Sequence, residues 1–237
     1  MNTRNLIVVA LMLLATLVSF FLGDYHTLTP YLFLVGLAVT SIIGAWAAVR
    51  METGDLVILF IVSLAVAVFD EYAHTSAKAF AYFDGGVPSP LTVFGWGLFI
   101  ITILAVTRLL NEKLVLGDGS GSTRILPVSV TILLLFVTAW CQGYLSVFSS
   151  LLVVIYIAMG ASCIHYSYSH PSGWNAWLIL CSVGFGALME FIGGMEGMWA
   201  FHFSEPLPFY LVFTWALRVM TILAICTSLN IEFIESP

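Results

Sequence analysis

The chain has 237 residues, 61% of them hydrophobic and 8% charged, with a formal net charge of −6 and a mean hydropathy of +1.06. A soluble globular domain carries about 25% charged residues, so this composition excludes a soluble enzyme and a disordered chain. The acidic balance also excludes a basic, nucleic-acid-binding face.

A bilayer core about 30 Å thick is crossed by about 20 apolar residues of helix. In chain order, continuous apolar runs at 5–23, 30–49, 55–74, 91–110, 126–143, 147–166, 174–193 and 208–229 predict about eight transmembrane helices. None alternates in polarity as a barrel strand does, so the predicted fold is an all-α polytopic membrane bundle. The first run follows a short basic start, but it is longer than a signal-peptide core. No small-residue cleavage site follows before Asp24, so it is read as a retained helix. Arg4, Arg50, Arg108, Lys113 and Arg124 fall toward one side and Lys78 toward the other. The positive-inside rule then predicts cytoplasmic termini and an integral protein of the plasma membrane.

The Gly/Ser-rich stretch within 115–125 reads as a cytoplasmic linker between four-helix halves at 1–114 and 126–237, joined in one membrane domain. The halves look like a tandem repeat. Val93-Phe94-Gly95-Trp96 recurs as Val212-Phe213-Thr214-Trp215, an offset of 119 that also aligns Glu71 with Glu190 and Tyr25 with Tyr144. A Pro-x-Pro precedes each copy, at Pro88–Pro90 and Pro206–Pro208, one residue out of register with the rest. Further upstream lie Ala81-Tyr82-Phe83 and Ala200-Phe201-His202-Phe203. An even number of spans per half makes the repeat parallel rather than inverted.

Cys141, Cys163, Cys181 and Cys226 lie in or at the ends of apolar runs without a Cys-x-x-Cys, so free thiols are expected. Five histidines are too few for a histidine-box di-iron enzyme. Glu71-x-x-His74 matches half of a di-iron bundle motif, but its repeat partner reads Glu190-x-x-Gly193, with His202 the one candidate to replace the missing ligand. No metal and no cofactor are expected.

An ionisable group in hydrocarbon costs roughly 2.5–3.5 kcal/mol or more on insertion scales, so each one needs a reason. Asp70 and Glu71 fall near the end of the third run and Glu190 near the end of the seventh. Arg218 falls midway along the eighth, where snorkelling is hardest. Adjacent acids point about 100° apart on a helix, so Asp70 and Glu71 face different partners, and His74 is within reach of either. Glu190 with Arg218 is expected either as an ion pair joining two spans or as an acid tuned by a cation. Aromatics gather at the same end of both halves: Tyr82, Phe83 and Trp96 in one, Trp199, Phe201 and Trp215 in the other.

The chain has no Gly-x-Ser-x-Gly, no Gly-rich phosphate loop and no aspartate-rich diphosphate cluster. A protonated carboxylic acid beside aromatic faces can protonate a carbon–carbon double bond, and ring faces stabilise the cation. Water capture then hydrates the substrate; capture by an internal alkene cyclises it. A lipophilic polyene that partitions into membrane lipid is the expected partner, and oligomeric state stays open.

The twice-used order of acid, aromatic, Pro-x-Pro and Trp, over 70–96 and 190–215, resembles the carotenoid-biosynthesis hydratases of archaea and bacteria. Gly193–Phe201 also fits that family's Gly-x-x-x-Gly-x-aromatic-x-aromatic run, whereas the first half has His74 and no such glycines. The resemblance implies a small polytopic enzyme that adds water to the ends of acyclic carotenoids. Small membrane terpene cyclases and heterodimer-type lycopene cyclases are similar in size and in their use of carboxylates. On this reading Glu190 donates the proton, tuned by Arg218, and Glu71 or Asp70 orients water or accepts the final proton. His74, Tyr82, Phe83, Trp96, Trp199, Phe201, His202 and Trp215 line the substrate's path. A transporter with a charged intramembrane site and an accessory membrane subunit are the competing classes.

Overall fold

The computed structural model describes residues 51–82, 85, 87–88, 90–114, 116–117, 122–195, 197–203, 207–231 and 233. The runs predicted at 5–23 and 30–49 lie outside the described residues. Six helices are long and apolar enough to cross a membrane: α1 (Thr53–Ser76), α2 (Pro90–Lys113), α3 (Ser122–Cys141), α4 (Ser150–Ser169), α5 (Ser172–Met195) and α6 (Phe209–Ser228). A one-turn 3-10 helix, Tyr144–Val147, links α3 to α4. Two three-residue strands, β1 (Phe80–Tyr82) and β2 (Trp199–Phe201), complete the described fold.

α1, α2 and α5 outrun their apolar windows at both ends, with polar residues such as Thr53, Ser76, Lys113 and Ser172 continuing them. α3 starts at Ser122, inside the stretch read as linker, since Ser122, Thr123 and Arg124 extend the helix without raising hydropathy. α4 starts at Ser150 rather than 147: the Ser149 side chain accepts from the Leu152 N–H at 3.2 Å and caps the helix there. α2 opens on Pro90, where a missing N–H costs nothing. α6 is preceded by Pro208 and α4 is followed by Pro171, so proline marks both boundaries.

α6 is the central helix, packed on α5, α3, α4 and α1, and α2 packs on α1 and α5. Asn175 ties three elements together: its side-chain amide donates to the carbonyls of Arg124, Ser167 and His170 at 3.1–3.3 Å. At Ser167 and His170, the C-terminal end of α4, such a donor satisfies carbonyls that lack an intrahelical N–H.

The strands correct the purely helical expectation. β1 follows α1, β2 follows α5, and the two pair antiparallel with Phe80 opposite Phe201, Ala81 opposite Ala200 and Tyr82 opposite Trp199. The His202 N–H donates to the Ala79 carbonyl at 3.0 Å and extends the ribbon. In both strands the aromatic residues are buried and the central alanine is exposed. The ribbon therefore turns four aromatic rings inward at one end of the bundle.

Candidate active site

α1 carries Asp70, Glu71 and His74, and all three are buried. As the helical geometry requires, the two acids face different partners. Glu71 turns toward α2 and β1: the Trp96 indole N–H donates to its Oε1 at 3.0 Å, and the Tyr82 hydroxyl donates to its Oε2. Burial pushes the Tyr82 hydroxyl well above its usual pKa, and the Glu71 carboxyl beside it adds to the shift. Tyr82 therefore stays protonated and remains a donor.

Asp70 turns toward α6, where Arg218 Nη2 lies 2.6 Å from its Oδ2. Arg218 Nη1 lies farther from Glu190, at 3.8 Å from Oε1. The arginine expected to pair with Glu190 thus makes its close ion pair with Asp70. Its guanidinium also sits over two indoles, 4.7 Å from the Trp96 ring and 5.2 Å from the Trp215 ring, which lie 5.1 Å apart. Stacking and pairing together offset the desolvation of the cation. Asp70 Oδ1 and Arg218 Nε are buried without hydrogen-bond partners among the described residues.

His74 joins this cluster. Its Nδ1 lies 2.8 Å from the Asp70 carbonyl and 3.3 Å from Asp70 Oδ2. With the proton on Nδ1, Nε2 accepts from the Tyr156 hydroxyl of α4 at 2.6 Å.

Glu190 of α5 accepts from the Trp215 indole N–H at 2.9 Å. This bond spans 25 residues, as does the Glu71–Trp96 bond. Glu190 Oε2 receives no hydrogen bond from the described residues, so two donors hold Glu71 and one holds Glu190.

Both carboxyls line a cavity of about 30 Å³. One water needs about 10–15 Å³ of such space, so there is room for about two. Phe80, Tyr82, Trp96, Phe99, Trp199 and Trp215 supply aromatic walls, with Thr92, Gly95 and Met189 between them. The Trp199 indole N–H is buried and has no partner among the described residues.

Nine of the residues singled out from sequence therefore converge: Asp70, Glu71, His74, Tyr82, Trp96, Glu190, Trp199, Trp215 and Arg218. Three do not. Phe83 lies outside the described residues. Phe201 is buried in β2 but does not line the cavity; its strand partner Phe80 does. His202 is exposed and packs its ring edge-on to Phe203 at 4.5 Å. It does not complete a metal site with Glu71 and His74, and no group of three His, Cys, Asp or Glu side chains that could hold a metal occurs among the described residues. The cysteines are free, with Cys141 exposed and the other three buried.

Sequence reasoning places Phe80 among the aromatics at this end of the bundle without assigning it to the site, and misses Tyr156, Phe99 and Met189. Phe99 was findable, because it stands three residues after Trp96 and at the 119-residue offset from Arg218. Nothing in the sequence marks Tyr156.

Comparison with known proteins finds no matching family model, no matching curated protein and no matching solved structure.

Proposed function

We propose that this chain is an integral-membrane enzyme that protonates a carbon–carbon double bond of an apolar isoprenoid or carotenoid-like polyene, leading to hydration or cyclisation. One observation carries the reading: two buried glutamates, each held by an indole N–H, face a single aromatic-walled cavity. Acid and cation-stabilising faces are the two things such a reaction needs.

Glu190 is the proton donor, since one of its oxygens is unclaimed. Its O–H bond breaks as a C–H bond forms on the alkene, leaving a carbocation against the rings. In hydration, a water oxygen bonds to that carbon and its proton passes to Glu71, which Tyr82 and Trp96 hold as an acceptor. A second water in the cavity returns that proton to Glu190. In cyclisation, an internal alkene attacks the cation and Glu71 takes the proton lost at the end. The space seen here suits water, so an end group enters by displacing lining side chains. Met189, with three rotatable bonds, is the one built to move.

The same reading takes the two halves as a duplication. It is supported by the equal Glu–Trp spacing and by a strand register that pairs each outer residue of β1 with the counterpart of the other outer residue. It also takes the termini as cytoplasmic, the membrane as the plasma membrane, and the chain as similar to the carotenoid hydratases through the motif order given above.

The test is mass spectrometry of organic extracts from cells that make a pool of long acyclic polyenes, with and without the protein. A product heavier by one water marks hydration; one of equal mass and altered retention marks cyclisation. Glu190→Gln keeps the fold and lowers product by about 10²–10⁴-fold, the usual contribution of a general acid. An unchanged extract across the polyene pool would remove the enzyme reading. It would bring forward an accessory subunit, in which Asp70–Arg218 only joins helices.

A further inference from the structure

The two glutamates match in partner and spacing, but their surroundings do not. At the 119-residue offset Asp70 corresponds to Met189, His74 to Gly193 and Arg218 to Phe99. On one side of the carboxyl pair, Arg218 meets Asp70 at 2.6 Å and lies over both indoles, with His74 and Tyr156 behind. On the other side the corresponding residues are Phe99 and Met189, and both line the cavity. Phe99 lies 6.0 Å from Trp215, much as Arg218 lies over it. The space that the ion pair fills on one side is thus the cavity on the other. Gly193 follows the same pattern: a Cβ there would collide with the Trp199 ring, so the missing side chain admits that indole to the cavity wall.

The difference has a chemical consequence. Ring faces already covered by a guanidinium are satisfied, and Arg218 repels a second cation beside it. On the Phe99 side, Phe80, Phe99 and Trp199 offer rings that the guanidinium does not cover, and the fixed charge there is met across the Trp96–Trp215 pair rather than inside the wall.

We propose that only one of the two corresponding subsites works: the Phe99–Met189 wall receives the apolar chain end, and the Asp70–Arg218 ion pair occupies and closes the other. This rests on the reading of the protein as a polyene-processing enzyme. It makes Phe99 and Met189 the residues that set the size of the end group. One chain end is then bound per protein.

The test uses the full chain in lipid nanodiscs and methyl trans-parinarate, an uncharged conjugated ester whose absorption overlaps tryptophan emission. Energy transfer from the indoles reads occupancy. The unmodified protein saturates at one probe per chain. Phe99→Arg with Met189→Asp transplants the ion pair and weakens binding at least about tenfold, the equivalent of 1.4 kcal/mol. Should that variant not fold, Phe99→Trp fills the same space without charge and weakens binding likewise. Asp70→Met with Arg218→Phe opens the closed side and raises saturation to two probes per chain. Undiminished binding in the Phe99 variants, or saturation still at one in the reopened variant, overturns the assignment. If polyene conversion persists undiminished when Phe99 and Met189 are replaced, the subsite assignment fails and the enzyme reading stands. If binding follows the expected pattern but no polyene is converted, the enzyme reading fails and the subsite stands.

Discussion

Asp70, His74 and Arg218 form a buried polar group whose members depend on one another. Arg218 is 1% exposed and its near counter-charge is Asp70 at 2.6 Å. Removing one partner of a buried pair leaves an uncompensated charge and costs about 3–5 kcal/mol, whereas replacing both with apolar residues is often neutral or stabilising. Asp70→Asn alone therefore lowers thermal stability in detergent by more than Asp70→Met combined with Arg218→Met. Melting curves of the two variants check this, and a double variant less stable than the single one would show that the pair is not the unit. Sequence made these residues visible, because charge inside an apolar run is conspicuous. It did not reveal that Arg218 sits closer to Asp70 than to Glu190. That choice depends on how α1 and α6 cross, and no spacing along one chain encodes it.

At the scale of elements, the β1–β2 ribbon gathers the aromatic wall. Each strand follows directly on a helix that carries a glutamate, so Tyr82 reaches back to Glu71 and Trp199 lies over Gly193. Residues directly opposite in an antiparallel pair have Cα atoms about 4.5–5.5 Å apart, within the range a disulfide spans. Ala81→Cys with Ala200→Cys, both at exposed positions, thus forms a cross-link on mild oxidation. With a protease site placed ahead of α3, between residues 117 and 122, the cut chain should run as one band on a non-reducing gel and as two after reduction. Two bands without reductant would disprove the register. The ribbon was not legible in sequence, since Phe-Ala-Tyr and Trp-Ala-Phe are too short to show a period. Their pairing is long-range, and each makes sense only beside the other. The helices were legible because hydropathy over a long window is a local property. Their ends were not, because Ser122, Thr123 and Lys113 continue a helix without being apolar.

On the scale of the whole molecule, the six described helices are compatible with an integral membrane protein, and the proposed orientation makes a direct prediction. A cysteine at position 120 is labelled by a membrane-impermeant maleimide only from the cytoplasmic face, and Ala200→Cys only from the opposite face. Labelling of both from one side would refute the odd number of spans, α3, α4 and α5, between them. Composition alone pointed to a membrane setting, with which the six apolar helices are compatible, because the hydrophobic fraction is a property of the chain whatever its fold. Periodic recurrence at 119 residues likewise pointed to Glu71, Glu190, Trp96 and Trp215 as a matched set, since hydrogen-bonded partners at equal spacing leave a trace in one dimension. Only the tertiary structure decided which carboxylate Arg218 holds, that Tyr156 backs His74, and that the cavity lies on the Phe99 side. Those facts depend on the volumes of side chains from different helices meeting at one point, and a volume shared between helices is written in no single segment.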